Sequence, residues 1–481
     1  MAGIGFELKK LYSERGILRG LRAFLYSFVV TVGPMILCIL LITFMQYLLE
    51  EKGENYLSRQ VFVAVIQYAF IFSLLISGGA AMYLSRFFAD MMYVEKLEEI
   101  LNGLDFAIIV SLAIGTVEAL VFLYFSSLDF ITALMAYCLF MILIIVWEYA
   151  IIITAIKNYK KIFRIYLSGV LIGVLVTIIM FILDVRNSNY YLFAILVTFS
   201  IIATRLIYYI RSVFKTREQF SVRVIESLDI YGRLVWVGFF MNAGIYIQNM
   251  VYWMTDDATV VATTFRVAPF YDVPMFYAFM TVIPAMIFFI IFFETNFYDR
   301  YKDYYDQIIH GGGLKEMESS KKTMIRALYQ EYSGVMEIQL FFTIVFLLLG
   351  RVLLPRMGVS QSSVDIYSIL TFGCYIYAGI YVCVMVLLYF DDIQGATMVS
   401  FSFFMTDLVF TIISLRFGDR ATGFGFFLST VVTFVIGYYR LSYYMKNLDY
   451  YTYCNQPLLQ VKPSGLFSRL AKVVMMFGAK S

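Results

Sequence analysis

The fold is decided by residues 104–156, which read LDFAIIVSLAIGTVEALVFLYFSSLDFITALMAYCLFMILIIVWEYAIIITAI. Two apolar runs, 104–126 and 129–156, are separated there by a short turn around Ser127 and Leu128. An α-helix crosses the hydrocarbon core of a bilayer with about 20 mostly apolar residues, and each run meets that length. Transmembrane β-strands would instead appear as alternating segments of about 10 residues, which the sequence lacks. The stretch therefore predicts two membrane-spanning helices joined by a tight turn.

The same pattern extends over the rest of the chain. Of its 481 residues, 61% are hydrophobic and 15% are charged, whereas a soluble domain has about 45–50% apolar and about 25% charged residues. Apolar runs of spanning length occur at 24–49, 60–84, 104–126, 129–156, 163–184, 190–213, 229–254, 268–293, 336–354, 364–390, 394–415 and 421–446. The sequence predicts an all-α integral membrane protein with about twelve transmembrane helices, arranged as two six-helix lobes around a central cavity.

Basic residues concentrate on one side of the predicted spans. They cluster before the first span, in the connections at 157–164, 211–223 and 300–326, and in the tail after the last span. Because Lys and Arg are enriched in cytoplasmic segments, this side is predicted to be cytoplasmic. We therefore expect a multi-pass protein of the cell membrane with both termini in the cytoplasm, as an even number of spans requires.

Six spans precede and six follow one cytoplasmic connection, a layout common among transporters. The predicted parts are an N-terminal lobe at 1–213, a linker at 214–228, a C-terminal lobe at 229–446 with a long cytoplasmic loop at 295–335, and a basic tail at 447–481. The start of the N-terminal lobe and the basic tail both contain short amphipathic stretches. Such stretches lie on an anionic membrane surface, or they pack on a partner or on the rest of the chain.

Catalysis and metal binding have little support in the sequence. The only histidine, His310, lies in the predicted long loop, and no GxSxG, HExxH or P-loop pattern occurs. The five cysteines lack CxxC spacing and are typical of small buried hydrophobic residues. We therefore expect no enzymatic activity, no cofactor and no metal site. The net charge of +3 is too small to indicate nucleic-acid binding.

Polar residues inside apolar spans are the candidate functional residues. A charge at the middle of a bilayer costs at least about 2.5–3.5 kcal/mol, so it usually faces a cavity or a partner. Glu118, Asp272 and Asp407 are the best placed carboxylates. We expect them to line a transport pathway or else to form ion pairs or hydrogen bonds between helices. Glu148 lies nearer a cytoplasmic helix end, where a structural role is expected.

The seventh span adds the amides Asn242, Gln248 and Asn249 to the predicted pathway. Asn242 and Asn249 are seven residues apart, which places them on one face of a helix. Each amide offers both a donor and an acceptor, which suits sugar hydroxyls. Amides also form hydrogen bonds between membrane helices, so both interpretations stay open.

Several motifs, spread over almost the whole chain, resemble those of one family and keep their order. The most specific are MAGIGFELKKL at 1–11 and YFDD at 389–392. Weaker matches are Gly33-Pro34, YLSRFFAD at 83–90, ETNFY at 294–298, GGGL at 311–314, Gly395 and GFG at 423–425. On these motifs the chain resembles the PelG family, the inner-membrane transporters of Pel exopolysaccharide systems.

The resemblance implies a member of the multidrug/oligosaccharidyl-lipid/polysaccharide flippase superfamily. It implies export of an amino-sugar-rich, partly cationic polymer for a biofilm matrix. The implied partners are a cytoplasmic glycosyltransferase and other membrane components, including a cyclic di-GMP receptor. The chain departs from the family at Ile393-Gln394, where basic residues are expected. A lipid-linked oligosaccharide flippase, a multidrug antiporter and a non-transporting scaffold of a polysaccharide synthase stay open as alternatives.

Charged residues at two cytoplasmic helix ends are candidates for a gate or a docking face. Arg86 and Asp90 are four residues apart and can pair across one helical turn. Asp391 and Asp392 follow the tenth span and can pair with a basic loop. We expect these residues to form part of a cytoplasmic gate or to dock the glycosyltransferase, with simple anchoring of the helix ends as the alternative.

Overall fold

The computed structural model describes residues 32–156, 159–214, 223–454, 465 and 467–469. Within these residues, twelve helices are long and apolar enough to cross a membrane, so the predicted number of spans is confirmed. The predicted amphipathic stretches, the motif at 1–11 and most of the predicted linker at 214–228 lie outside the described part of the chain.

The helices follow one another with short connections. They are α1 Gly33–Glu51, α2 Tyr56–Tyr93, α3 Glu98–Tyr124, α4 Phe130–Ile156, α5 Tyr159–Ile182, α6 Ser188–Val213, α7 Arg223–Trp253, α8 Pro269–Met280, α9 Ile283–Phe292, α10 Tyr298–Ile309, α11 Leu314–Arg356, α12 Gln361–Tyr389, α13 Ile393–Leu415 and α14 Phe424–Lys446. The strands β1 Thr259–Ala262 and β2 Phe265–Val267 form an antiparallel hairpin between α7 and α8.

The eighth span is broken into α8 and α9. Pro284 stands in the first turn of α9, where its missing N–H is tolerated. Buried Gln339 of α11 fills the break, because its amide donates to the Thr281 carbonyl at 2.7 Å and accepts from the Ala285 N–H at 3.1 Å. The break therefore leaves these two backbone groups hydrogen-bonded within the protein, as the interior of a membrane protein requires.

The predicted long loop at 295–335 is mostly helical. A π-helical turn at Phe293–Phe297 leads into α10, and α11 begins soon afterwards at Leu314. With 43 residues and a rise of about 1.5 Å per residue, α11 is about 64 Å long. A hydrocarbon core is only about 30 Å thick. Its charged N-terminal half therefore extends beyond the membrane and packs against α10.

The chain forms two compact units. Unit N contains 32–246, 253–268 and the described tail residues 465 and 467–469. Unit C contains 247–252 and 269–454. The helix α7 thus contributes its long N-terminal part to unit N and one C-terminal segment to unit C.

Glycines set the closest helix approaches in unit N. A Cβ atom added to Gly238 of α7 would lie 2.0 Å from the carbonyl oxygen of Gly78 on α2. A Cβ atom added to Gly115 of α3 would lie 2.8 Å from the Ile144 side chain on α4. At Gly238 only glycine permits the contact, because a larger residue would have to displace backbone, whereas at Gly115 a larger residue would have to push the Ile144 side chain aside.

The hairpin is fixed to α2 by one phenol. The Tyr68 hydroxyl donates to the Arg266 carbonyl at 2.8 Å and accepts from the Arg266 N–H at 3.1 Å. The ring of Tyr68 stacks on Trp253 with centroids 4.4 Å apart and lies 5.0 Å from Phe265. The hairpin is therefore a packed part of unit N.

Candidate functional site

A polar cluster in unit C brings together four of the predicted pathway residues, Gln248, Asn249, Asp272 and Asp407. Asp272 stands in the first turn of α8, where the helix dipole favours a carboxylate. The Asn249 amide donates to its Oδ1 at 2.7 Å. The cluster thus joins the end of α7 to the start of α8 through a charge-assisted hydrogen bond.

Two tyrosines connect the remaining members of the polar cluster. The Tyr271 hydroxyl donates to the side-chain oxygen of Gln248, and both residues are fully buried. The Tyr252 ring stacks on Tyr271 with centroids 4.0 Å apart. Asp407 of α13 lies within electrostatic range of both phenols.

Asp407 is the most enclosed member of the polar cluster. Its relative exposure is 0%, and its one hydrogen bond within the described residues is a long one of 3.4 Å from the Thr411 hydroxyl. Its Oδ2 atom and the Oδ1 atom of Asn249 are buried without a hydrogen-bond partner among the described residues. Polar atoms of this kind in a native interior call for a functional explanation.

Asn242 lies apart from the polar cluster, in unit N. Its amide donates to the Gly238 carbonyl one turn earlier at 2.9 Å, and it packs directly against Gly78. Asn242 and Asn249, which were expected to lie on one face of α7, therefore contact different parts of the protein. The contacts of Asn242 are those of the close crossing of α2 and α7.

Glu118 lies on the wall of a separate cavity of about 50 Å³ in unit N. Most of the wall is apolar, and six aromatic rings contribute to it: Tyr68, Phe72, Phe122, Tyr137, Phe140 and Phe265. The Glu118 side chain is half-buried, and no described residue forms a hydrogen bond or ion pair with it. Among the described residues, therefore, Glu118 is not paired with a basic side chain.

The predicted gate residues of α2 face α7 in unit N. Arg86 lies 3.5 Å from Asp90, as their spacing predicted. Asp90 also accepts a hydrogen bond from the Tyr231 hydroxyl. One turn before Arg86, the Tyr83 hydroxyl lies 2.7 Å from the Ser227 hydroxyl. This end of α2 is thus attached to the start of α7 by a short polar seam.

The second pair of gate residues divides into a buried and an exposed carboxylate. Asp392 is 7% exposed and accepts two hydrogen bonds of 2.8 Å from Arg440 on α14. It also caps α13 by accepting from the Gly395 N–H at 3.0 Å. A Cβ atom at Gly395 would lie 2.1 Å from the Asp392 carboxylate, which explains the glycine of this motif.

Asp391 is exposed and adopts a left-handed backbone conformation with φ of 62°. It lies beside aromatic residues of α10 and α12, among them Tyr301 and Tyr389, whose ring centroids are 4.7 Å apart. Burial raises the pKa of Tyr301 to about 12, so its phenol stays neutral at physiological pH. Of the two aspartates, Asp391 is the one whose carboxylate a partner can reach.

The sequence interpretation missed one buried polar residue. Gln339 was not singled out, although an amide within the apolar run of the ninth span is a usable signal. Glu148, for which a structural role was expected, has a relative exposure of 0%, and neither carboxylate oxygen has a hydrogen-bond partner among the described residues.

Comparisons with known proteins agree with this architecture. The model of the PelG family, described as an exopolysaccharide exporter (EPS-E), matches residues 1–453. No curated protein matches the chain.

Solved structures of transporters share the fold at low sequence identity. An outward-facing multidrug resistance MATE family transporter of the MOP superfamily is 10% identical, with 88% of this chain and 96% of that chain covered and a TM-score of 0.59. The eukaryotic MATE transporter AtDTX14 is 12% identical, with 94% and 98% covered and a TM-score of 0.57. A MOP superfamily transporter from Pyrococcus furiosus is 10% identical, with 88% and 96% covered and a TM-score of 0.52. The predicted helical transporter fold is confirmed, with one short β-hairpin added.

Proposed function

The chain belongs to the PelG family of exopolysaccharide exporters, and from this premise we propose that it moves a nascent, amino-sugar-rich polymer across the cytoplasmic membrane while a cytoplasmic glycosyltransferase makes it. The match of the family over residues 1–453 carries the proposal. Family and fold are those of transporters. The polymer, once outside, contributes to a biofilm matrix.

The polar cluster of unit C supplies the substrate contacts in this proposal. Asp272 and Asp407 attract the ammonium groups of an amino-sugar polymer, and the amides of Gln248 and Asn249 exchange hydrogen bonds with its hydroxyls. The buried Asn249 Oδ1 and Asp407 Oδ2 atoms, which no described group hydrogen-bonds, support this assignment. In unit N, we assign Glu118 as a further carboxylate that contacts the polymer.

The cytoplasmic ends carry the proposed partner contacts. We assign Asp391 and the pair of Arg86 with Asp90 to the gate or to the docking of the glycosyltransferase. The supporting observation is that Asp391 is exposed. A cyclic di-GMP receptor in the same membrane complex then controls synthesis and export together.

Export of newly made polymer in cells carrying both Asp272→Asn and Asp407→Asn tests the proposal. We expect polymer to accumulate inside, or synthesis to stall, while the membrane level of the protein and recruitment of the glycosyltransferase stay normal. Asn keeps the shape of Asp but removes the charge that an ammonium group needs. Secretion is measured as labelled polysaccharide in the medium over the cell-associated amount.

The matched control is the pair Asp256→Asn and Asp257→Asn, because both aspartates are exposed in the turn after α7. The control should secrete normally. Unchanged secretion in the Asp272 and Asp407 variant would show that the cluster is structural. Accumulation of a lipid-linked oligosaccharide rather than free polymer would favour the flippase alternative.

A further inference from the structure

Glu148 is a buried carboxylate that the proposed export path does not use. It lies on α4, its relative exposure is 0%, and both of its oxygens lack a hydrogen-bond partner among the described residues. The Ser111 side chain of α3 lies close to Glu148 but forms no hydrogen bond of standard geometry with it. An ionised carboxylate in such surroundings costs several kcal/mol unless a partner or a proton compensates its charge.

The charged residues of the neighbouring helices do not compensate the charge that Glu148 would carry as a carboxylate. The inner half of α4 packs on α2, α3, α5 and α6. Charged side chains of those helices on this side of the membrane are Arg86, Asp90, Glu98, Glu99, Asp105, Lys160, Lys161, Arg164, Arg205 and Arg211. Asp105 is paired with Arg211 at 3.3 Å, and none of the ten acts electrostatically on Glu148.

A tight apolar layer separates Glu148 from Glu118. The layer is the contact of Gly115 on α3 with Ile144 and Phe140 on α4 and Ile76 on α2. Glu118 is three residues beyond Gly115 toward the outer end of α3, and Glu148 is four residues beyond Ile144 toward the inner end of α4. At about 1.5 Å per residue, the two carboxylates differ by about 10 Å along the helix axes.

The two sides of this layer differ in access. On the outer side, Glu118 lines the cavity of about 50 Å³, which has room for water. On the inner side, Glu148 is sealed by the packing of α2, α3 and α4. A carboxylate on the wall of this cavity and a sealed one about 10 Å further along the helix axes are the candidates for a relay.

The ligand chemistry points to a proton. A metal cation needs several oxygen ligands, for example about six to eight for Ca²⁺, and the described residues hold no group of three or more His, Cys, Asp or Glu side chains that could bind one. Ser111 and Glu148 alone offer too few. A proton needs one carboxylate oxygen.

We propose that Glu118 and Glu148 are the two proton-binding stations of unit N and that opening of the Gly115 layer passes a proton between them. In each step, one O–H bond forms at one carboxylate and one breaks at the other, with water in the cavity as the carrier. Movement of the proton along its gradient then drives the conformational change of export. The inference goes beyond the proposed function and does not depend on the identity of the polymer.

Infrared spectroscopy of the purified full chain in lipid nanodiscs tests the station directly. At neutral pH we expect a C=O band of a protonated carboxylic acid that shifts in D₂O, and Glu148→Gln should remove its share of this band. The share of Glu148 is read as the difference between variant and wild type, so that bands from other acids cancel. Glu51→Gln is the matched control, because Glu51 is exposed at the end of α1. An unchanged band in Glu148→Gln would overturn the proposal.

The second measurement addresses coupling in cells. Nigericin, which collapses the pH gradient, should slow polymer secretion in cells with the wild-type chain. In cells with Glu148→Gln or Glu118→Gln, secretion should be slow already and should no longer respond to nigericin. A wild-type response in Glu148→Gln would show that the acid is structural, even if the export function stands. If Glu148→Gln loses its infrared band but neither the wild type nor any variant secretes polymer, the export function is rejected. The proton station would stand in that case.

Discussion

The Asp392 carboxylate accepts both Arg440 nitrogens at 2.8 Å, and the Asp272 carboxylate accepts the Asn249 amide at 2.7 Å. Asp407 has only one long hydrogen bond of 3.4 Å, and Glu148 has none among the described residues. These four acids stand in helices or turns of similar apolar sequence. What differs is the partner that faces each one: of the four, Asp407 and Glu148 have a buried carboxylate oxygen without a hydrogen-bond partner among the described residues.

The pair of Asp392 with Arg440 is predicted to be structural. In Asp392→Ala, Arg440 loses its partner at a mostly buried position and α13 loses its N-cap. We expect the free energy of unfolding to fall by about 3 kcal/mol, measured by thermal unfolding in lipid nanodiscs. The neighbouring Asp391→Asn is the control, because Asp391 is exposed and Asn tolerates its left-handed backbone. A loss of similar size in both variants would contradict the assignment.

Among the elements, the broken eighth span shows how a distant residue completes a helix. The break between α8 and α9 frees backbone groups that water cannot reach inside a membrane protein. The Gln339 amide supplies one donor and one acceptor at that point. The flexibility that such a break gives a transporter helix is thus limited by α11.

Replacement of Gln339 is predicted to loosen the break. In Gln339→Leu, the Thr281 carbonyl and the Ala285 N–H lose their partner, and we expect a loss of about 2 kcal/mol in unfolding free energy. Hydrogen exchange of the Ala285 amide should accelerate correspondingly. Gln330→Leu on the exposed face of the same helix is the control and should leave both measurements unchanged. An unchanged exchange rate at Ala285 in Gln339→Leu would show that another group holds the break.

For the molecule as a whole, the predicted orientation in the membrane follows from charge placement alone. The long charged part of α11 and the end of α14 lie on the side where Lys and Arg concentrate. Cys454 follows α14 and is exposed, whereas Cys38, Cys374 and Cys383 are buried. The native thiols therefore report the sidedness of the protein.

A membrane-impermeant maleimide should label Cys454 in inside-out vesicles and not in intact cells. Cys454→Ser should abolish this labelling, since Cys38, Cys374 and Cys383 are buried and Cys138 lies within the membrane span of α4, which an impermeant reagent does not reach. Adding Phe417→Cys to that variant places a thiol at a position that is 74% exposed, in the connection between α13 and α14. This thiol should be labelled in intact cells. Labelling of Cys454 from outside the cell would reverse the predicted orientation.

The sequence by itself determined the number and approximate position of the spans and the placement of basic residues, because each depends on the composition of a local segment. The motifs at 1–11 and 389–392 also indicated the family, since each is a contiguous string that needs no fold to be recognised. Of the candidate site, the sequence found Asp272, Asp407 and Asn249 as polar residues in apolar surroundings.

The tertiary structure alone decided which of these residues share an environment. It joined Asn249 to Asp272 and placed Asn242 in the other unit, although both amides lie on α7. It buried Asp392 against Arg440, which is 48 residues away in the sequence, and it sealed Glu148 behind the Gly115 layer. Hydrophobic length is a property of about 20 consecutive residues, whereas the state of a buried polar group depends on what residues distant in sequence bring to it.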